Sequence, residues 1–156
     1  MPDPGERWPS PGLRNVGSYQ VSGHPFITGS TNLDEDKVHM IEFPFVCKSF
    51  TVINTNSSGD LRLHFQSGSN VAPITVPGDA GAATIATTDD VLAGFHFISI
   101  PPGNSSLTMD SKCHRIYISR PNGDGDNATY EVFAELTNIS VGSMYELTGS
   151  GVTEKA

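Results

Sequence analysis

The residues able to do chemistry are few, and their spacing limits what they can do. Five histidines, His24, His39, His64, His96 and His114, are spread along the chain. None shows the close pairing of a zinc motif such as H-E-x-x-H, in which two imidazoles share one helix face. A cupin-type metal site needs two histidines close in sequence plus a carboxylate, and the segment "FHF" at 95–97 supplies one histidine. No metal site is therefore expected, and His64 and His96 are expected on exposed strand faces. The run "NGDGDN", Asn122 to Asn127, has the oxygen-rich start of a calcium loop. The position where a glutamate should close that loop is Phe133. A turn between two strands accounts for Gly123 and Gly125 equally well.

Nucleophile signatures are absent too. There is no G-x-S-x-G, and neither Cys47 nor Cys113 belongs to a Cys/His pattern recognisable in sequence. A pair of glycosidase carboxylates would meet in space rather than in sequence, but few acids lie at strand ends beside aromatics. The chain is not expected to be an enzyme, and no cofactor is expected. Both cysteines lie in apolar, strand-like runs. Two cysteines do not make a disulfide scaffold for a domain of this size; they act as buried thiols, or pair if their strands are neighbours. Asn56, Asn104, Asn127 and Asn138 each precede a Ser or Thr by two residues, and such matches arise by chance in Asn/Ser/Thr-rich turns.

The elements that must hold these residues are strands. The 156 residues suit one domain, 37% are hydrophobic, and Gly 16 with Pro 11 favours many turns. A net charge of −8 disfavours direct binding to nucleic acid, because an acidic surface repels phosphates. Asp34, Glu35 and Asp36 read as a solvated loop. No apolar run is long enough for a membrane span, and "MPDPGERWPSPG" lacks the apolar stretch of a secretory leader. Intracellular synthesis is expected.

Residues 1–16 hold four prolines and no periodicity, which predicts an extended arm ahead of a single domain over 17–156. Trp8, beside Arg7, is the only tryptophan; its ring is expected to dock on a surface, the chain's own or a neighbour's. From Ser18 the strand signals begin: "SYQVSG", "HPFITG", "KVHMIEFPFV", "CKSFTVINT", "DLRLHF", "APITVPG", "FHFISIPPG", "SLTMD", "CHRIYIS" and "ATYEVFAELTNI". "STNLDED" reads as a loop, "AGAATIATTDD" as an irregular connection, and "MYELTG" as a last short strand. Lys48 to Phe65 reads as a β-hairpin around Asn54–Asp60, with one wet face on "DLRLHF". Leu61, Leu63, Phe65, Tyr130, Val132 and Leu136 are the expected core. About eight main strands with frequent turns predict an all-β antiparallel sandwich or barrel.

Several stretches together, "LRNVGSYQVSGHPFITGS", "KVHMIEFPFVCKSFTVINTNSSGDLRLHF", "KCHRIYISR" and "TYEVFAELTNISVGSMYELTGSG", resemble the penton proteins of large icosahedral double-stranded DNA viruses, such as those infecting algae. The likeness runs from about Leu13 to Gly151 and is weakest over Gln66–Leu92. It implies a single jelly roll of two packed four-stranded antiparallel sheets. It further implies a structural role in the virion capsid: a homopentamer closing each fivefold vertex, among trimers of a major capsid protein and other minor capsid proteins. Assembly in the host cytoplasm is implied, with no direct nucleic-acid contact and no membrane insertion. Arg7 and Trp8 would then dock the arm on neighbours. The alternative is a carbohydrate-binding or lectin-like sandwich, which needs exposed aromatic platforms; Tyr117, Tyr130 and Tyr145 are its candidates.

Overall fold

Alternating side chains set the inner and outer faces of the strands. The computed structural model describes residues 12–14, 16–17, 23–34, 37–65, 74–76, 83–84, 97–120, 127–145, 147–148 and 151–152. The last long strand, β10 (Ala128–Leu136), shows the alternation most plainly. Ala128, Tyr130, Val132, Ala134 and Leu136 are buried, whereas Glu131 and Phe133 are exposed. Before it come β1 (His24–Leu33), β2 (Lys37–Glu42), β3 (Cys47–Asn54), β4 (Leu61–His64), β5 (Ile74–Val76), β6 (Ala83–Thr84), β7 (Ile98–Ile100), β8 (Ser105–Met109) and β9 (Arg115–Ser119). After it, β11 (Leu147–Thr148) and β12 (Gly151–Val152) pair with each other.

The pairing is that of one long hairpin, rolled up. β1 pairs β10, β2 pairs β9, β3 pairs β8 and β4 pairs β7, all antiparallel. Rolling adds two contacts, β10 with β3 and β9 with β4. One sheet is therefore ordered β1-β10-β3-β8 and the other β2-β9-β4-β7. The chain crosses from one sheet to the other at every step except β4 to β7. This is the strand order of a jelly roll. On the β2 edge of the second sheet, β5 adds in parallel and β6 antiparallel.

The inner faces meet in one core that includes Leu33, Ile41, Phe43, Phe50, Val52, Leu61, Leu63, Ile116, Ile118, Tyr130 and Val132. Phe26 stands edge-on to Phe43 at 5.3 Å between ring centroids, and Phe50 edge-on to Phe65 at 6.3 Å. Edge-to-face pairs suit the charge distribution of the rings. Of the expected core residues, Leu61, Leu63, Tyr130, Val132 and Leu136 are buried, and Phe65 packs partly buried against them.

Three expectations are corrected. Lys48–Phe65 is not a hairpin: β3 and β4 lie in different sheets, and the loop between them is a crossing. Sequence gives a turn there but not the partner of each strand. "STNL" belongs to β1, because Leu33 is buried and anchors the strand end beside Ala128, past an irregularity after Ser30. "DLRLHF" has no wet face at His64, which is 1% exposed. Its Nε2 lies 3.0 Å from Ser119 Oγ, and its ring stacks on Tyr117. The arm residues Arg7 and Trp8, the segment Ser18–Ser22, His96 and the Asn122–Asp126 part of the calcium-like run lie outside the described residues.

Candidate functional site

Among the described residues, four places gather polar or exposed apolar side chains. The first lies between the sheets. His39 on β2 and Tyr130 on β10 face each other across the sandwich, with His39 Nδ1 2.8 Å from the Tyr130 hydroxyl and both residues buried. Burial pushes the Tyr130 phenol well above its ordinary range. The pair lets a polar tip sit in an apolar core without losing its hydrogen bond.

The second is the outer face of the second sheet. Register places Met40, Tyr117 and His64 in one row, and Val38, Ser119 and Arg62 in the next. Val38, Met40, Tyr117, His64 and Ser119 are all buried. A serine hydroxyl within reach of an imidazole has the look of a nucleophile and its base, but here both groups are closed to solvent. What the contact does is tie β4 to β9. Arg62 lies over the Phe97 ring, its guanidinium carbon 4.3 Å from the centroid.

The third is the loop end of the sandwich, where β3 runs into β4. Asn54, wholly buried, donates to Gly59 O at 3.0 Å and Ile100 O at 2.9 Å, and accepts from the Asn56 amide. Asn56 accepts from Thr129 N–H through its side chain and from Gly103 N–H through its carbonyl. The Asn-rich turn thus fastens the connections to β8 and β10. Gly103 and Asn104 follow in left-handed backbone, φ 84° and 62°, a region open to glycine and tolerated by asparagine. Asn127 donates to Asn32 at the same end, and Asn138 meets His24 at the other.

The fourth is the outer face of the first sheet. Ile27, Phe133, Thr51 and Thr108 form one row, and Gly29, Glu131, Ile53 and Ser106 the next. Ile27 is 77% exposed and Phe133 41%. Glu135 pairs with Lys48 at 3.6 Å. A Cβ at Gly29 would stand 2.6 Å from Tyr130 O, so the close approach of β1 to β10 requires glycine there. At the end opposite the Asn-rich loop, Val46, Ile139 and Met144 form a small cluster on which Leu13 and Tyr145 pack. Lys112 Nζ donates to Leu13 O at 3.0 Å, so the end of the arm nearest the domain touches it. Phe45 and Val141, both partly open to solvent, adjoin this cluster in sequence.

Of the tyrosines that a glycan platform would use, Tyr117 and Tyr130 are buried and Tyr145 packs against the small cluster. Among the described residues, no three His, Cys, Asp or Glu side chains are grouped to hold a metal ion. None of their helices is long and apolar enough to cross a membrane. The buried His39–Tyr130 and His64–Ser119 pairs escaped the sequence reading. Strand alternation could have flagged His39, which falls on the same face as Ile41. Comparison with known proteins matched no family model, no curated protein and no solved structure.

Proposed function

We propose that this chain is a structural capsid protein, a penton whose homopentamer closes the fivefold vertices of an icosahedral double-stranded DNA virus. The observation that carries the reading is the jelly-roll strand order, β1-β10-β3-β8 against β2-β9-β4-β7. That order agrees with what the whole-strand resemblance implies. A fold alone hosts many functions, so the surfaces must bear the rest of the argument. Ile27 and Phe133 stand outward on an open sheet face, and a face of that kind gains by contact with another protein. A fivefold ring joins two different faces of each copy. With only 17% charged residues, few long charged side chains need be stripped of water on contact. The surplus of acids, −8 per chain, requires that they lie off the subunit boundary or meet lysine and arginine across it.

In this reading the neighbours are major capsid protein trimers and other minor capsid proteins. The arm, with Arg7 and Trp8, reaches toward them, and assembly takes place in the host cytoplasm. An icosahedral reconstruction of the virus particle tests it directly. The expected result is five copies of this sandwich at each vertex. A different protein in that density, with this chain absent from purified particles, overturns it. Native mass spectrometry gives a faster check, with a species of five times the 16.6 kDa chain mass expected when capsid trimers are present.

A further inference from the structure

The interior cysteines are arranged for a reaction that nothing above uses. Cys47 opens β3 in the first sheet, and Cys113 lies in the link from β8 to β9, which leads into the second sheet. Their sulfurs are 3.2 Å apart and both thiols are buried and free. The backbones are held together directly, with Cys47 N–H donating to Cys113 O at 2.8 Å. One bond further along the chain, Phe43 N–H donates to His114 O at 2.8 Å. The sulfurs need approach by only about 1 Å more to reach bonding distance, and the main chain beside them is already paired.

We propose that Cys47 and Cys113 are the site of a reversible cross-link, closing to a disulfide that locks the start of β3 to the link between β8 and β9 when the protein meets an oxidant such as hydrogen peroxide. The Cys47 S–H is directed to Ser111 O at 3.1 Å, which leaves the Cys113 S–H to donate to the Cys47 sulfur. That bond holds the Cys47 thiol below its ordinary range, while the same bond and burial push Cys113 up. Cys47, which receives the Cys113 S–H, is the attacking sulfur. Its thiolate, having lost its proton, displaces hydroxide from peroxide as the O–O bond breaks, giving a sulfenic acid. The Cys113 sulfur then attacks the Cys47 sulfur, the S–O bond breaks, and hydroxide leaves, taking up the thiol proton as water. Two thiols lose two electrons and two protons; one peroxide becomes two waters.

Burial makes the reaction conditional. Peroxide reaches the pair only when this end of the sandwich opens, so the thiols persist in a reducing cell and close slowly outside it. The cross-link would also fix the segment that carries Lys112, and with it the contact to Leu13.

The test uses the full chain, purified under reductant, then exposed to peroxide with and without low urea to promote opening. Intact mass should fall by two hydrogens, peptide mapping should join the Cys47 and Cys113 peptides, and the monomer should persist on non-reducing gels. A link enclosing this much chain should raise the melting temperature by roughly 10 °C, and dithiothreitol should reverse it. Cys47→Ser should abolish the mass loss. Two thiols that still alkylate in denaturant after peroxide and urea overturn the proposal. So do sulfinic acids or intermolecular dimers without the internal link. A linked monomer that melts no higher than the reduced chain overturns the lock.

Discussion

The two outer faces of the sandwich differ more than the two sheets do. On the second sheet, the outward row Met40, Tyr117, His64 is sealed from water within one chain, and Ser119 beside it is bonded to His64. On the first sheet, the outward row Ile27, Phe133, Thr51, Thr108 stays open, with Ile27 mostly exposed. Both sheets bury the same kind of inner face in the same core. A side chain's periodicity tells which side of a strand it takes; it does not tell whether that side ends in water. The lesson is one of roles. A face closed by its own chain contributes to folding, whereas the side chains of an open face such as Ile27 bury little apolar area within their own chain.

The comparison breaks most visibly at Tyr117. Truncating a buried aromatic on the closed face removes its packing and the ring stacked on His64, so Tyr117→Ala should cost about 3–5 kcal/mol in urea unfolding. Leu63→Ala, on the inner face of the same sheet, should cost about 2–5 kcal/mol. If the outer row matters as much as the inner, the two losses will be similar. A Tyr117→Ala loss below about 0.5 kcal/mol, the range of ordinary surface changes, would show the outer face to be surface after all. Ser119→Ala is gentler. It removes one hydrogen bond from a buried imidazole and should cost about 1–3 kcal/mol.

Much of the architecture could be read from residues alone, because alternation is a local property. Tyr130, Val132 and Leu136 against Glu131 and Glu135 locate β10 and its inner face without any knowledge of its partners. Leu61 and Leu63 do the same for β4. What failed was non-local. The turn at Asn54–Asp60 has the composition of a hairpin loop, yet it carries the chain from one sheet to the other. Asn54 is wholly buried there because Gly59 O and Ile100 O, one of them distant in sequence, need its amide. His64 failed for the same reason: the polar member of an alternating strand is wet only if nothing lies over that face. The closeness of Cys47 and Cys113 depended on the link after β8 passing beside the start of β3, a non-local contact that the sequence left open. The proposed arm contacts at Arg7 and Trp8 fall outside the described residues.

Alkaline pH offers a sharper probe of the closed interior than truncation. The Tyr130 phenol is raised by burial, so the folded state resists ionisation that the unfolded chain undergoes at about pH 10. Above that pH the unfolded state binds fewer protons than the native state, and stability must fall as pH rises. This one group should contribute a slope of up to about 1.4 kcal/mol per pH unit. Tyr130→Phe removes the ionisable group, and with it that share of the slope, at the expense of the 2.8 Å contact with His39 near neutral pH. Equal slopes for the two proteins between about pH 10 and 11 would mean that Tyr130 titrates as it does in water.

The open face should give the smallest change in stability and the most specific change in behaviour. Phe133 already meets water over 41% of its surface and Ile27 over 77%, so little apolar area is returned to solvent when either is shortened. Their backbone pairing, Ile27 opposite Phe133, does not depend on the side chains. Ile27→Ser and Phe133→Ser should therefore each leave the unfolding free energy of the isolated chain within about 0.5–1 kcal/mol of the parent. Serine is compatible with an exposed strand position, which makes misfolding a poor explanation for any larger effect. If the proposed penton role holds and a neighbouring copy covers this face, the double variant should fold and melt nearly as the parent does, yet lose the pentamers expected in native mass spectrometry when capsid trimers are present. If pentamers form undiminished, the neighbour sits elsewhere, and the apolar end near Phe45 and Val141 becomes the surface to alter next. If instead the isolated double variant unfolds several kcal/mol more easily, the two outer faces are not different in kind, and the contrast between them fails.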